Sequence, residues 1–268
     1  MRARAEGAGG IAWVTGASSG IGRAVALELT RRGWLVAATA RRLPELEALV
    51  TEAAAEGGRI VAYPCDVTDG AGMDRLVAVV EQVHGPIALA ILNAGVAPKS
   101  AASLDVATFR QVIDVNLMGV VHGLAAVHPR MAGRGRGRIA VNASLAGYRG
   151  LPGAGAYSAS KAAVIALCES LQIEAGRAGI VLQVVNPGFV ETPMTRDNPH
   201  PMPFLLPVET AARRLCDGLE HDRFEIAFPR RLAWIAKLFR LLPAGAYFAL
   251  MRRAPTAKGE AERAETQR

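Results

Sequence analysis

IAWVTGASSGIGRAVALELTRRG, residues 11–33, decides the fold. Ile11 to Thr15 is a short apolar run and reads as a buried strand. Gly16, Gly20 and Gly22 fall in the turn that follows and in the first turn of a helix, with Ser18, Ser19 and Ile21 between them. Ala24, Val25, Leu27 and Leu29 continue that helix, and Gly33 ends it. Strand, glycine turn and helix bring backbone N–H groups and a helix N-terminus to a phosphate. The spacing is G-x-x-x-G-x-G rather than G-x-G-x-x-G. The physical demands are the same: a tight turn, close backbone approach and close helix packing. A plain glycine-rich turn is the bland alternative, but the strand before and the helix after favour a nucleotide.

The chain repeats this alternation. Trp34 to Ala40 is a second strand, followed at once by Arg41 and Arg42. An acid near this strand end would hold a ribose 2′-hydroxyl, whereas an arginine accommodates a 2′-phosphate. No acid stands there, and the planar guanidinium suits a phosphate. NADP(H) is therefore expected over NAD(H). Pro44 to Glu56 reads as a helix and Arg59 to Tyr63 as a strand that leads to Asp66 and Val67. Asp66 would bond an adenine amino group or cap a turn. A helix opens at Thr68 or Asp69 and runs through His84. Ile87 to Leu92 is the fourth strand and enters Asn93-Ala94-Gly95, a small turn beside the expected cofactor. Asp105 to Arg130 is a long helical stretch. Asn116 inside it is expensive unless satisfied, and its structural explanation is a kink held by a backbone bond. Gly133 to Arg138 (GRGRGR) is a solvated basic turn. Strands at Arg138–Ala143 and Ile180–Val185 follow, the latter ending in Asn186-Pro187-Gly188. Val208 to Glu220 reads as a helix and Phe224 to Phe228 as the last strand. The expected fold is α/β, a single doubly wound parallel sheet over residues 1–228, with 1–9 a flexible leader.

The chemistry concentrates in NASLAGYRGLPGAGAYSASK, residues 142–161. Tyr157 and Lys161 are four apart and share a helix face. A free phenol titrates near 10, too high for efficient proton transfer at neutrality. A cation beside it lowers that value and makes Tyr157 a usable acid or base. Ser144, thirteen residues earlier, is placed to donate to a substrate carbonyl. Tyr-x-x-x-Lys alone is a weak signal, and an exposed helix start is its bland explanation.

Composition narrows the classes. The chain has 268 residues, 51% of them hydrophobic, enough for one large α/β domain. Cys65, Cys168 and Cys216 lie far apart and form no CxxC, so a reduced cytoplasmic protein is the default. The five histidines show no metal spacing, and no metal is expected. No uncharged apolar run reaches about 18 residues, so no membrane-spanning helix is expected. The net charge is +7, but the last 40 residues hold nine Lys/Arg against three Glu. The rest is near neutral, which argues against nucleic acid as a partner.

Taken together, the motifs resemble the short-chain dehydrogenase/reductase family over about residues 10–228. TGASSGIG at 15–22, Asp66, NAG at 93–95, Asn116, Ser144, YSASK at 157–161 and NPGFVET at 186–192 stand in the family's order. The resemblance implies that Tyr157 gives or takes the proton, and that Lys161 lowers its pKa and holds the nicotinamide ribose. Ser144 would polarise the substrate oxygen and Asn116 would anchor a water in a proton relay. Asn93 would lie against the cofactor and Thr192 near the nicotinamide carboxamide. Pro187, Gly188 and Val190 would share that wall. The resemblance also implies hydride passing directly between nicotinamide C4 and a carbonyl or carbinol carbon, and assembly as a homodimer or homotetramer.

Phe189 to Val208 carries five prolines and reads as a substrate loop or lid. Met194, Met202, Phe204, Leu205 and Leu206 predict an apolar or bulky carbonyl or alcohol. Residues 229–253 form a basic helical extension. On a helix, Trp234, Ile235, Leu238, Leu241 and Leu242 lie on one side and Arg230, Lys237 and Arg240 on the other, with a break at Pro243. Such a helix lies on an anionic membrane, peripheral to its inner face, or packs on the domain or a neighbouring subunit. Residues 254–268 are polar and expected to be disordered. Two further function classes are a nucleotide-binding regulatory protein without turnover and a membrane-surface interaction protein led by the tail. An intact Ser/Tyr/Lys set argues against the first of these.

Overall fold

The computed structural model describes residues 10–97, 105–196, 198 and 201–253. The predicted leader 1–9 and tail 254–268 lie outside the described residues. Seven parallel strands form one sheet: β1 (Ile11–Thr15), β2 (Leu35–Ala40), β3 (Arg59–Pro64), β4 (Ile87–Leu92), β5 (Gly137–Asn142), β6 (Ile180–Pro187) and β7 (Glu225–Phe228). Their spatial order is β3-β2-β1-β4-β5-β6-β7. Every strand falls where its apolar run predicts, within two residues at the ends.

Helices alternate with the strands: α1 (Gly20–Arg31), α2 (Leu43–Ala55), α3 (Gly70–His84), α4 (Val106–Ile113), α5 (Gly119–Arg134), α6 (Gly155–Arg177) and α7 (Val208–Leu219). Two more follow β7 among the described residues, α8 (Arg230–Leu241) and α9 (Ala244–Arg253). The strand period of two sorts side chains into two cores. Ile11 and Trp13 of β1, Ala90 and Leu92 of β4 and Ile139 of β5 face α3, α5 and α6. Their neighbours Ala12, Val14, Leu89, Ile91 and Ala140 face α1, α2 and α7. Burial on both faces is why these strands are apolar throughout rather than alternating. The buried indole of Trp13 still finds an acceptor, Thr39 Oγ1 at 2.9 Å.

The stretch from Val106 to Arg134 is long and apolar enough to cross a membrane by length and composition, which the sequence expectation did not anticipate. It packs against α3, the first turn of which lies near His122, and against α6, and Val120, Leu124, Val127 and Met131 of it belong to the core. Strand order reverses between β1 and β4, whose outer partners are β2 and β5. At such a switch point the loops leave in opposite directions and open a crevice at the carboxyl ends of the strands.

Candidate active site

A cleft of about 340 Å³ occupies that crevice. The loops after β1, β2, β3, β4, β5 and β6 line it in turn. Its floor is the glycine turn. Gly16 has φ +69, and a Cβ there would lie 2.7 Å from Ala94 Cα, so the turn after β1 and the turn after β4 touch backbone to backbone. Gly22 does not line the cleft. Its role is packing, since a side chain there would collide with Asn93 and with the Gly16 carbonyl. Asn93 stitches the two turns, donating from Nδ2 to Thr15 O at 3.1 Å while its own N–H reaches Thr15 Oγ1 at 3.0 Å.

The N-terminus of α1 has no side-chain cap, although Ser19 stands at the capping position. By contrast Asp69 caps α3 and Asp105 caps α4. Gly16, Ser18, Ser19, Gly20 and Ile21 all face the cleft there. A glycine cradle at an uncapped helix start is the donor set that a pyrophosphate requires, so the residues present fit a dinucleotide.

Arg41 and Arg42 close one end of the cleft. Both side chains are more than half exposed. Arg42 donates to Ser18 Oγ at 3.3 Å and pairs with Glu45 at 2.7 Å. Arg41 lies 3.8 Å from Asp66. Asp66 itself holds the turn, its Oδ1 accepting from the N–H and the hydroxyl of Thr68 at 3.0 and 2.9 Å. Asp66 and Val67 line the same end, and so do Ala40 and Cys65, which the sequence reading did not single out.

At the other end Ser144, Tyr157 and Lys161 line one wall, with Asn93, Ala94, Gly95, Pro187, Gly188, Val190 and Thr192 around them. The α6 helix places Tyr157 and Lys161 on one face, as their spacing predicts. Lys161 Nζ stands 5.8 Å from the centroid of the Tyr157 ring. Its hydrogen bond goes elsewhere, to the carbonyl of Asn142 at 2.7 Å. Ser144 accepts from Ala146 N at 3.1 Å, which fixes the hydroxyl at the cleft wall.

The electrostatics correct one expectation. Lys161 was expected to lower the Tyr157 pKa, yet the phenol is pushed above its ordinary value. Desolvation is the cause, and the hydrogen bond with Ser144 opposes it only in part. Desolvation likewise brings Lys161 down, to about 8. The lysine is nearly fully buried and its ammonium is aimed at a backbone carbonyl rather than at the phenol.

Asn116 does not line the cleft. It is fully buried in a π-helical turn, Asp114–Met118, that joins α4 to α5. Its carboxamide accepts from Val96 N at 2.7 Å, donates to Val96 O at 2.9 Å, and donates to Ser160 Oγ at 3.0 Å. Ser160 in turn donates to Tyr157 O at 2.7 Å. Where a kink held by a backbone bond was read from the sequence, the helix carries a π turn, and the Asn116 carboxamide ties the wall after β4 to the helix that carries Tyr157.

Two groups escaped the sequence reading. Asn142 donates from Nδ2 to Asn93 Oδ1 at 2.9 Å and so links the glycine turn to the carbonyl that holds Lys161. Its position at the end of a predicted strand beside Ser144 was the available signal. Behind the Ser144 loop, Tyr148, Asn186 and Lys237 converge on the Glu225 carboxylate. Burial works to raise Glu225, but the hydrogen bonds from Lys237, Tyr148 and Asn186 prevail and hold it below its ordinary value. Residues so distant in sequence gave no pattern to read.

The two ends of the stretch 189–208 are bonded to each other. Leu206 N donates to Phe189 O at 3.0 Å and Glu191 N to Leu206 O at 2.9 Å. Met194 lines the cleft and is nearly half exposed, as is Phe204, whose φ of 59 is rare outside glycine.

Comparison with known proteins agrees with this geometry. A family model described as short chain dehydrogenase matches residues 10–202. An uncharacterized oxidoreductase of Myxococcus xanthus is 39% identical over 243 residues, 90% of this chain and 96% of its own length. A 3-oxoacyl-[acyl-carrier-protein] reductase of Synechocystis is 34% identical over 201 residues, 74% of this chain and 81% of its own. Among solved structures, a short chain dehydrogenase/reductase of Burkholderia phymatum in complex with NAD superimposes with a TM-score of 0.78 at 26% identity, covering 87% of this chain and 93% of that one. An actinorhodin polyketide ketoreductase with NADPH gives 0.73 at 30% identity, covering 78% and 90%.

Proposed function

The chain belongs to the short chain dehydrogenase family, and we propose that it is an NADP(H)-dependent oxidoreductase interconverting a carbonyl and an alcohol on an apolar, bulky substrate. The observation that carries this reading is the meeting of Ser144, Tyr157 and Lys161 on the wall of a cleft that begins at the glycine turn. The nicotinamide supplies or accepts the hydride when bound. In the reductive direction Tyr157 gives its proton to the substrate oxygen; burial pushes the phenol up and makes it a weaker acid, so the transfer depends on positive charge near the phenolate that forms. The Ser144 hydroxyl donates to the same oxygen and orients it. Lys161 would hold the ribose of the nicotinamide, and its ammonium, 5.8 Å from the centroid of the Tyr157 ring, would place positive charge near the phenolate that forms. Asn116 holds the backbone on both sides of the site through Val96 and Ser160, with its carboxamide already committed to them.

The cofactor preference rests on Arg42, which reaches Ser18 at the glycine turn, with Arg41 beside it and no acid at the end of β2. Apolar substrate is supported by Met194, which lines the cleft and is nearly half exposed, and by the exposed Phe204 further along the same stretch. A homo-oligomer built through the long helices is supported by exposed Val106, Met118 and Ile173 on α4, the π turn and α6. Free Cys65, Cys168 and Cys216 suit a reducing compartment.

The test is NADPH oxidation by the purified protein over carbonyls from small aldehydes to steroids and long-chain ketones, with Tyr157→Phe as control. Turnover of bulky carbonyls that the variant loses is the expected result. Turnover of small hydrophilic carbonyls alone contradicts the substrate class. NADPH binding with no turnover of any carbonyl contradicts the oxidoreductase and favours a regulatory role.

A further inference from the structure

The last two helices are firmly attached, yet α8 presents its apolar side outward. Leu232, Ala233 and Ala236 pack into the core on one side of α8, and Phe239 meets the ring of Tyr247. Trp234, Ile235, Leu238 and Leu241 point the other way and are 69, 41, 60 and 80% exposed. Arg149 clamps the end of α8, donating to the carbonyls of Phe239, Arg240 and Leu242 at 2.8, 3.2 and 2.6 Å. Its guanidinium lies 4.3 Å over the Tyr247 ring, and the buried Tyr247 hydroxyl donates to Gly150 O at 2.6 Å. The apolar face is thus held in solvent by specific contacts elsewhere on the segment.

Charge identifies what covers it. Residues 229–253 hold Arg230, Arg231, Lys237, Arg240, Arg252 and Arg253 and no acidic residue. Lys237 is paired with Glu225, while Arg230, Arg231 and Arg240 form no ion pair with a described residue. We infer that α8 docks on an anionic lipid surface, with Trp234, Leu238 and Leu241 in the acyl boundary and the arginines at the headgroups. A helix with apolar residues outward and basic residues flanking them lies in the plane of such an interface, and tryptophan favours that depth. A second copy of the same face would set like charges against each other. The anchor of the helix, Arg149-Gly150, lies in the loop between Ser144 and Tyr157. The lipid-facing helix is therefore tied to the catalytic loop, which suits a lipophilic substrate.

The full chain should be mixed with vesicles of phosphatidylcholine, alone or with phosphatidylglycerol, and followed by cosedimentation and tryptophan emission. Trp13 and Trp34 are buried, so Trp234 is the reporter. The expected result is binding and a blue shift with the mixed vesicles only, both weakened by salt. Trp234→Phe removes the shift. Leu238→Ser with Leu241→Ser weakens partitioning by about tenfold or more, and Arg230→Gln with Arg231→Gln by roughly tenfold. All of these positions are exposed, so the fold and NADPH oxidation in solution persist. The inference is overturned by absent binding, by equal binding to neutral vesicles, or by variants that bind as before. It is also overturned if the serine variant instead dissociates an oligomer in sedimentation velocity, which makes the face a contact between copies.

Discussion

The two ends of the cleft are built in opposite ways. Ser144, Lys161 and Asn116 are buried, and Lys161 and Asn116 have a fixed hydrogen-bond partner for each polar group. Arg41 and Arg42 are mostly exposed, and their ion pairs run to exposed carboxylates. A proton donor must be held to fractions of an ångström, so the protein surrounds it with backbone and with locked side chains. A phosphate needs charge and reach, and a long cation in water supplies both at small structural cost. Substitutions at the two ends should therefore fail differently.

The largest effect is expected at the buried end. Lys161→Met should lower kcat roughly 10²- to 10⁴-fold, read by steady-state kinetics, while circular dichroism stays native. Near-normal kcat would remove Lys161 from the chemistry. Asn116→Ala should come next. It strands the N–H and C=O of Val96 and costs about 2–4 kcal/mol in denaturant unfolding. A loss under about 1 kcal/mol would mean that the π turn is not held by this carboxamide.

The same desolvation gives a smaller, pH-dependent effect. Lys161 titrates at about 8 in the fold against an ordinary value of 10.5. Between those values the unfolded chain keeps a proton that the folded chain has shed, so stability rises with pH there. From pH 8 to 9.5 the gain should be about 1–2 kcal/mol relative to Lys161→Met. A flat difference across that range would contradict the shift. The smallest effect belongs to the exposed end. Arg41→Ala should change stability by no more than about 0.5 kcal/mol, because its ion pair with Asp66 is long and solvated. A larger loss would show that the exposed end is more rigidly built than its accessibility indicates.

The sequence carried the fold because both cores impose simple rules on it. Strands buried on two faces must be apolar throughout, and Ile11–Thr15 or Ile87–Leu92 has no other reading. The glycine turn was legible because Gly16 and Gly22 stand where backbone must touch backbone. The line of Tyr157 and Lys161 followed from helix period alone. What the period could not give was the direction in which Lys161 points. Its partner is a main-chain carbonyl at Asn142, and main-chain acceptors leave no mark in a sequence. For the same reason Arg149 gave no sign that it clamps the carbonyls at the end of α8. The helical wheel of α8 put Trp234 and Leu238 on one side and Lys237 and Arg240 on the other, yet the Lys237 ammonium lies 5.9 Å from the centroid of the Trp234 ring. It could not say which side faces the protein, and Ala233 and Ala236 proved to be the inward residues. The Glu225 cluster joins three elements and has no local pattern.

The division between the two ends is tested most directly by measuring kcat and the NADPH dissociation constant of Tyr157→Phe and Arg42→Ala side by side with the wild type. Tyr157→Phe should lower kcat roughly 10²- to 10⁴-fold and leave NADPH affinity within about twofold, since the ring and its packing remain. Arg42→Ala should weaken NADPH binding about 10- to 100-fold, leave NADH binding unchanged and keep kcat at saturation. An Arg42→Ala variant that binds NADPH normally, or a Tyr157→Phe variant that turns over at the wild-type rate, would contradict the account.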